Sequence, residues 1–389
     1  MFNYFAGIDM SKDSFCFSVI DKNEKEMASG KCDVSQSGFK KFFNVLKQFP
    51  NIAAAVESTG SYHVTLMAAL IGSDFTTYLI TPLLVKNFSR SCSLRTIKTD
   101  KIDAKLIAIF ASRNNGTLRP VESVASVGLR EVARLKETIT KELGTAKRKL
   151  KRLMVMTFPE LVKAVNIFSD SMIALIEKYP SAEAFKNAAD KELNTFFNTV
   201  KRGRRLSYDA GFIKSLAEKS VGISGYIEAS VKHQIRMIKT LSEELKETND
   251  KLIEITRQCY NEEIEVLTSI PGIGETTASH FIAEIGSIDK FESVRQLTAY
   301  AGTDPGPQQS GTMFRGGKIS KKGNSCVRRV GYIMTFHLIR YCPVFTEYYA
   351  KKKAEGMPNM KAMIATLNKM LRMIFAMLKN KSHFLINYS

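Results

Sequence analysis

The sequence predicts an α/β domain followed by a mostly helical remainder, and three observations carry that prediction. Up to about residue 115, short apolar runs of strand length alternate with stretches of helical spacing. From about residue 127 the period changes to a sustained 3-4 spacing, the mark of long helices. Beyond about residue 262 helical patterns continue, interrupted by one Gly-rich basic loop. A chain of 389 residues is long enough for two or three domains with their own cores, and a hydrophobic content of 44% with 24% charged residues is ordinary for a globular protein.

Within the first 126 residues, FNYFAGID, DSFCFSVID and the more polar KEMASGKCDV read as a three-stranded meander. SGFKKFFNVLKQF follows as a helix, NIAAAVEST as a strand, SYHVTLMAALIG as a helix and TTYLITPLLV as a strand. A further helical pattern begins in KTDKIDAK. The order β-β-β-α-β-α-β-α is that of a ribonuclease-H-like domain, a mixed sheet covered by helices. Such a topology sets an Asp closing the first strand beside a Glu closing the fourth.

Two long helices are expected next, at 127–155 and 227–261. Leu129, Val132, Lys136, Ile139, Leu143, Ala146, Leu150 and Leu153 form the seam of the first, with Lys136 its one charged break. Val231, Gln234, Ile238, Leu241, Leu245, Thr248, Leu252 and Ile255 repeat the spacing in the second. The pair forms a coiled-coil-like hairpin, a contact between protomers, or two helices of an ordinary bundle. Residues 156–226 between them read as a helical insert, and 262–389 as a C-terminal domain closed by an amphipathic helix.

The charge balance narrows the function. Lys and Arg number 57 against 38 Asp and Glu, a net +19 that favours a polyanionic partner, with nucleic acid the first candidate. No apolar run approaches the roughly 18 residues that cross a bilayer, and the start MFNYFAGIDMSK has no signal-peptide pattern, so a cytoplasmic protein without a membrane partner is expected. The six cysteines form no CxxC pair and join no histidine at zinc spacing, as free thiols of a reducing compartment would.

Four carboxylates are the strongest chemical signal. Asp9 and Glu57 close strand-like runs, while Asp100 and Asp103 sit three apart where a helix begins. Converging carboxylates repel unless a cation lies among them, and an all-oxygen donor set suits Mg²⁺ or Mn²⁺. The arrangement points to metal-dependent phosphoryl transfer.

Phosphate-binding elements accompany them. Gly272, Ile273 and Gly274, in IPGIGETTASHFIAEIG, resemble the turn of a helix-hairpin-helix element, whose backbone N–H groups approach a phosphate. Lys147, Arg148, Lys149, Lys151 and Arg152 crowd the end of the first long helix. The Gly-rich loop carries Arg315, Lys318, Lys321, Lys322, Arg328 and Arg329 with no acidic residue from Ser310 to Arg329. Within it Ser310, in Gln-Gln-Ser-Gly-Thr, is a candidate nucleophile where cationic groups could stabilise a transferring phosphoryl group.

Together these residues resemble those of the DEDD-type insertion-sequence transposases, the bridge-RNA-guided recombinases. GIDMSKDSF, AVESTGSYH and RTIKTDKIDAKLIA match the N-terminal motifs of that family, and IPGIGETTASHFIAEIG, FESVRQLTAYAGTDPGPQQSG and ISKKGNSCVRRV match its C-terminal transposase domain. The family often reads Gly-Leu-x-Pro before the serine, where this chain has Gly302, Thr303, Asp304 and Pro305. The resemblance implies a RuvC-like N-terminal domain, a metal-binding tetrad of Asp9, Glu57, Asp100 and Asp103, and a covalent phosphoserine intermediate on Ser310. It further implies donor and target DNA as substrates, a structured noncoding bridge-type RNA, and a homo-oligomer in which dimers assemble to a tetramer. Two alternatives stay open: a RuvC-like nuclease or resolvase that uses water, and a DNA-binding protein without chemistry.

Overall fold

The computed structural model describes residues 2–58, 62–92, 99–118, 120–121, 124–200, 208–304, 308–310, 313–315 and 319–385. It divides into two compact units: Met1–Arg130 with Ile285–Ala299, and Glu131–Glu284 with Tyr300–Ser389.

In the first unit a five-stranded sheet is built from β1 (Tyr4–Met10), β2 (Ser14–Asp21), β3 (Glu26–Asp33), β4 (Ile52–Glu57) and β5 (Thr76–Ile80), in the order β3-β2-β1-β4-β5. Strands β1, β2 and β3 pair antiparallel, whereas β4 pairs parallel with both β1 and β5. This is the mixed sheet expected of a ribonuclease-H-like domain. Helices α1 (Gln36–Leu46), α2 (His63–Ile71), α3 (Pro82–Cys92) and α4 (Asp100–Arg113) complete it.

Both faces of the central strands are covered, which explains why β1 and β4 are apolar almost throughout. Ala6, Ile8, Ala54 and Val56 pack with Phe42 of α1 and Leu66 of α2. From the opposite face Phe5, Ala53 and Ala55 pack with Ile107 and Ala108 of α4. At the edge, β3 is largely exposed, and its sequence is accordingly polar.

Helix α4 lies unusually close to β1. A Cβ on Gly7 would stand 2.1 Å from the Ala104 carbonyl oxygen and 2.2 Å from the Ala108 nitrogen, so only glycine permits this approach. The direction of α4 follows from its last residue: Arg113 donates two hydrogen bonds to Glu24, at 2.5 and 2.9 Å. Glu24 lies just past Asp21, which pairs with Tyr4 at the start of β1. Helix α4 therefore runs antiparallel to β1 and begins at the end where β1 finishes.

One element differs from expectation. The strand read through TTYLITPLLV stops at Ile80, and Pro82 opens α3. Proline cannot donate to a ladder but suits a first helical turn, where the Thr81 carbonyl accepts from the backbone of Leu84 at 2.9 Å.

In the second unit the dominant elements are α5 (Val124–Thr157) and α11 (Ile227–Thr268), the latter kinked at Tyr260, whose φ of −144° and ψ of 43° are non-helical. Between them lie α6 (Pro159–Ala164), α7 (Asp170–Lys178), α8 (Ala182–Lys186), α9 (Asp190–Val200) and α10 (Ala210–Glu218). One buried cluster joins Leu150 and Leu153 of α5, Ile176, Phe185 and Ile213 of the shorter helices, and Val231 and Ile238 of α11. Seam residues of both long helices thus serve a core shared with the helices between them. The remainder comprises α12 (Glu275–Ile285), α13 (Val294–Ala301), a hairpin of β6 (Gln308–Ser310) and β7 (Met313–Arg315), and helices α14 (Ser325–Tyr341), α15 (Pro343–Ala354) and α16 (Asn359–Asn380). Helices α14, α15 and α16 pack together around Met334, Leu338, Phe345, Leu367 and Leu371. Among the described residues no helix is long and apolar enough to cross a membrane.

Candidate functional site

Strand register decides where the first two carboxylates stand. In the parallel pair, Ile8 lies opposite Val56, and the same offset sets Asp9 beside Glu57 at the ends of β1 and β4. Side chains alternate along a strand, so Asp9 shares the face of Phe5 and Gly7, and Glu57 that of Ala53 and Ala55. That is the face α4 covers.

Helix α4 brings the second pair to the same sheet end. Its Ala104 meets Gly7; Asp9 is two residues further along β1, about 7 Å, and Asp100 is four residues back along α4, about 6 Å. Thr99 caps the helix, its hydroxyl accepting from the Ile102 N–H at 3.3 Å, and Asp100 and Asp103 both lie in the first turn. There they also favour the positive end of the helix dipole. Cys16, the residue paired with Asp9 across the ladder, registers this convergence. Its thiol is pushed up first by burial, then by the charge of Asp100, with Asp9 adding to the effect against Lys31.

With the side chains as they stand, no three Asp, Glu, His or Cys groups among the described residues are close enough to hold one ion. The backbone gathers the carboxylates at one sheet end without closing a coordination sphere. By donor chemistry the group fits a hard divalent cation, since all four members offer carboxylate oxygens alone.

The candidate nucleic-acid contacts are spread over the second unit. Gly272 joins α11 to α12 at φ +95°, and its Cα faces the His337 carbonyl and Tyr341 of α14, so glycine is needed here for conformation and packing alike. Ile273 is buried, whereas nothing lies within 4 Å of a Cβ built on Gly274. Glu275 at the start of α12 pairs with Arg257. On α5, Arg148, Lys149, Lys151 and Arg152 are exposed, and half-buried Lys147 lies 5.9 Å from the Phe168 ring centroid.

Ser310 ends β6, and its backbone pairs with Met313; Arg315 ends β7 opposite Gln308. Lys318 lies outside the described residues. Lys321 and Lys322 are exposed. Arg328 instead donates to the Ala301 carbonyl at 2.9 Å, and Arg329 is 2.5 Å from Glu137. Glu137 is held below the usual carboxylate range: burial pushes it up, but hydrogen bonds from Lys141 and Cys326 and the charge of Arg329 outweigh that.

Sequence reasoning missed the residues that close this loop. The Ser320 N–H donates to the Asp304 carbonyl and the Lys321 N–H to the Gly302 carbonyl, each at 3.1 Å, and the Asn324 N–H to the Tyr300 carbonyl at 2.6 Å. Asp304 also accepts from the Ser320 hydroxyl at 2.6 Å, while Thr303 is fully buried and its carbonyl accepts from Asn368 at 3.2 Å. Of these bonds only the one from the Ser320 hydroxyl to the Asp304 carboxylate depends on the side chain at 303 or 304; the backbone carbonyls would accept whatever residues stood there. The one available signal was Asn324 itself, an N-cap residue before the helical run SCVRRV.

Comparison with known proteins matches the two end regions of the chain. Residues 6–159 match the transposase family DEDD_Tnp_IS110, and residues 264–350 match the Transposase IS116/IS110/IS902 family. The chain is 21% identical to the insertion element IS116 uncharacterized 44.8 kDa protein of Streptomyces clavuligerus, covering 97% of this chain and 95% of that one. It is likewise 21% identical to the pilin gene-inverting protein of Moraxella bovis, over 98% and 97% of the two chains. Among solved structures, RuvC of Thermus thermophilus in complex with Holliday junction substrate matches 30% of this chain and 99% of its own, at 18% identity and a TM-score of 0.26. With both of its end regions matched, together more than half of its length, the chain belongs to the IS116/IS110/IS902 family of transposases.

Proposed function

We propose that this transposase cuts and rejoins DNA through Ser310, with Asp9, Glu57, Asp100 and Asp103 holding Mg²⁺ or Mn²⁺. The observation that carries the reading is the convergence of the four carboxylates on one sheet end, through the β1–β4 register and the antiparallel course of α4. A divalent ion among them would polarise a scissile phosphate and lower the cost of deprotonating an attacking hydroxyl.

In the proposed reaction the Ser310 oxygen bonds to phosphorus as the bond to one deoxyribose oxygen breaks, and that oxygen gains a proton. The resulting serine ester keeps the phosphodiester energy, so a deoxyribose hydroxyl can reverse the step without ATP. The sequence holds no P-loop, as such a cycle allows. Exposed Lys321 and Lys322, and the basic face of α5, supply cations for the phosphate backbone. A structured noncoding RNA that pairs with donor and target DNA, and dimers that assemble to a tetramer, belong to the same proposal. The net charge of +19 supports polyanionic partners.

The test is a denaturation-resistant protein–DNA adduct that maps to Ser310, forms with Mg²⁺, and is absent from both Ser310→Ala and chelated samples. A Ser310→Ala protein that still cuts and rejoins at the unsubstituted rate would sink the serine mechanism and leave a water-using nuclease.

A further inference from the structure

Glu284, in α12, is the one charged side chain that is fully buried among the described residues. A carboxylate taken from water is costly unless its partners compensate, so its position asks for a reason. One oxygen, Oε2, accepts from the Asn324 side-chain nitrogen at 2.9 Å. The other makes no hydrogen bond and lies 3.7 Å from Arg134 Nε.

Asn324 is where the C-terminal unit ties the basic loop together. Its side-chain oxygen caps α14, accepting from the N–H groups of Cys326 at 2.8 Å and Val327 at 3.2 Å. Capping fixes the side-chain nitrogen on the opposite side, where only an acceptor can satisfy it. A carboxylate has no donor to offer, so Glu284 selects this one orientation of the amide. The Asn324 backbone meanwhile donates to the Tyr300 carbonyl, and the Tyr300 hydroxyl donates to the Glu284 carbonyl at 3.1 Å. Beyond Asn324, the Lys321–Gly302 and Ser320–Asp304 bonds continue the ladder between the two legs of the loop.

We propose that Glu284 is a positioning residue for the loop-borne nucleophile, acting through Asn324 to hold together the legs from which Ser310 is presented. This rests on the reading of Ser310 as the nucleophile. Glu284 touches neither DNA nor the reacting atoms; it sets the geometry from below.

An exchange of the two side-chain chemistries separates positioning from capping. Asn324→Asp keeps an oxygen for the cap, at which Asp and Asn serve equally, but turns a second carboxylate toward Glu284. Glu284→Gln combined with Asn324→Asp restores a donor and an acceptor with the polarity reversed. Two readouts are taken on the full chain at pH 8: amide hydrogen exchange at Ser320, Lys321 and Asn324, and the rate of Ser310–DNA adduct formation with Mg²⁺. The single Asn324→Asp change is expected to speed exchange and slow adduct formation, each by about tenfold or more. The double variant is expected to recover most of both, while DNA affinity stays within about threefold throughout.

Unchanged exchange in Asn324→Asp overturns the proposal, as does a double variant no better than the single one. Should the unsubstituted protein form no adduct at all, the serine reading fails and takes the catalytic half of the proposal with it. Exchange that still responds to the swap would then identify the serine reading as the part that failed.

Discussion

In the N-terminal unit the acidic residues of interest stand at the rim: Asp9 and Glu57 at the ends of apolar strands, Asp100 exposed and Asp103 half-buried in the first turn of α4. In the C-terminal unit the comparable groups are turned inward. Glu284 is fully buried, burial lowers Lys136 to about 8, and His280 is held down to about 4 by burial and then by the charge of Lys136. The first arrangement keeps its carboxylates within reach of solvent, where their charge costs the fold little. The second commits charge to internal architecture, where it governs stability and the shape of a loop.

The largest effect is expected at the sheet end where the four carboxylates are proposed to hold a metal ion. Asp9→Asn should lower DNA cleavage by about a thousandfold or more while shifting the melting temperature by no more than about 2 °C, because the residue stands at the end of its strand, outside the buried core. A clear loss of stability would show that the rim carboxylates also hold the fold.

Next comes the packing that puts them there. Gly7→Val drives a side chain into the α4 backbone and should cost about 3 kcal/mol in urea denaturation; metal-dependent cleavage should fall further than the unfolded fraction explains.

Lys136→Met tests the inward charge. The amine has an ordinary value of 10.5 and drops to about 8 in the fold, so the unfolded chain binds more protons between those values and stability rises with pH across that window. The Met variant should therefore melt higher by roughly 2 °C at pH 7, a gap that narrows from pH 8 to pH 10. A gap independent of pH would mean that the ammonium is not what burial penalises. Smallest is Arg113→Ala, which removes the surface pair with Glu24 and should change stability by less than about 1 kcal/mol.

What the sequence made legible was whatever a short window contains. The apolar runs ending in Asp9 and Glu57 announced strands, and the 3-4 spacing announced α5 and α11, because period and burial are local consequences of one element. TPLLV misled because a short apolar run suits a strand or a helix, and Pro82 tipped it to helix. Gly7 gave no warning either: its need for glycine comes from Ala104 and Ala108, nearly a hundred positions away. The Glu284–Asn324 bond spans 40 residues, and nothing in the sequence around either residue names the other. Pairings of that kind exist only once the chain has folded back.

The ladder between Tyr300–Asp304 and Ser320–Asn324 also bears on how such a protein can diversify. Because Tyr300–Asp304 and Ser320–Asn324 are hydrogen-bonded to each other, the separation of these two legs is set by the ladder, whatever the length of chain between them. Added residues there would cost only loop-closure entropy, which grows by about 0.6 kcal/mol for each doubling of loop length. The frame itself thus tolerates insertion and change of sequence between its two legs, with Ser310 the position that the proposed chemistry requires to be kept.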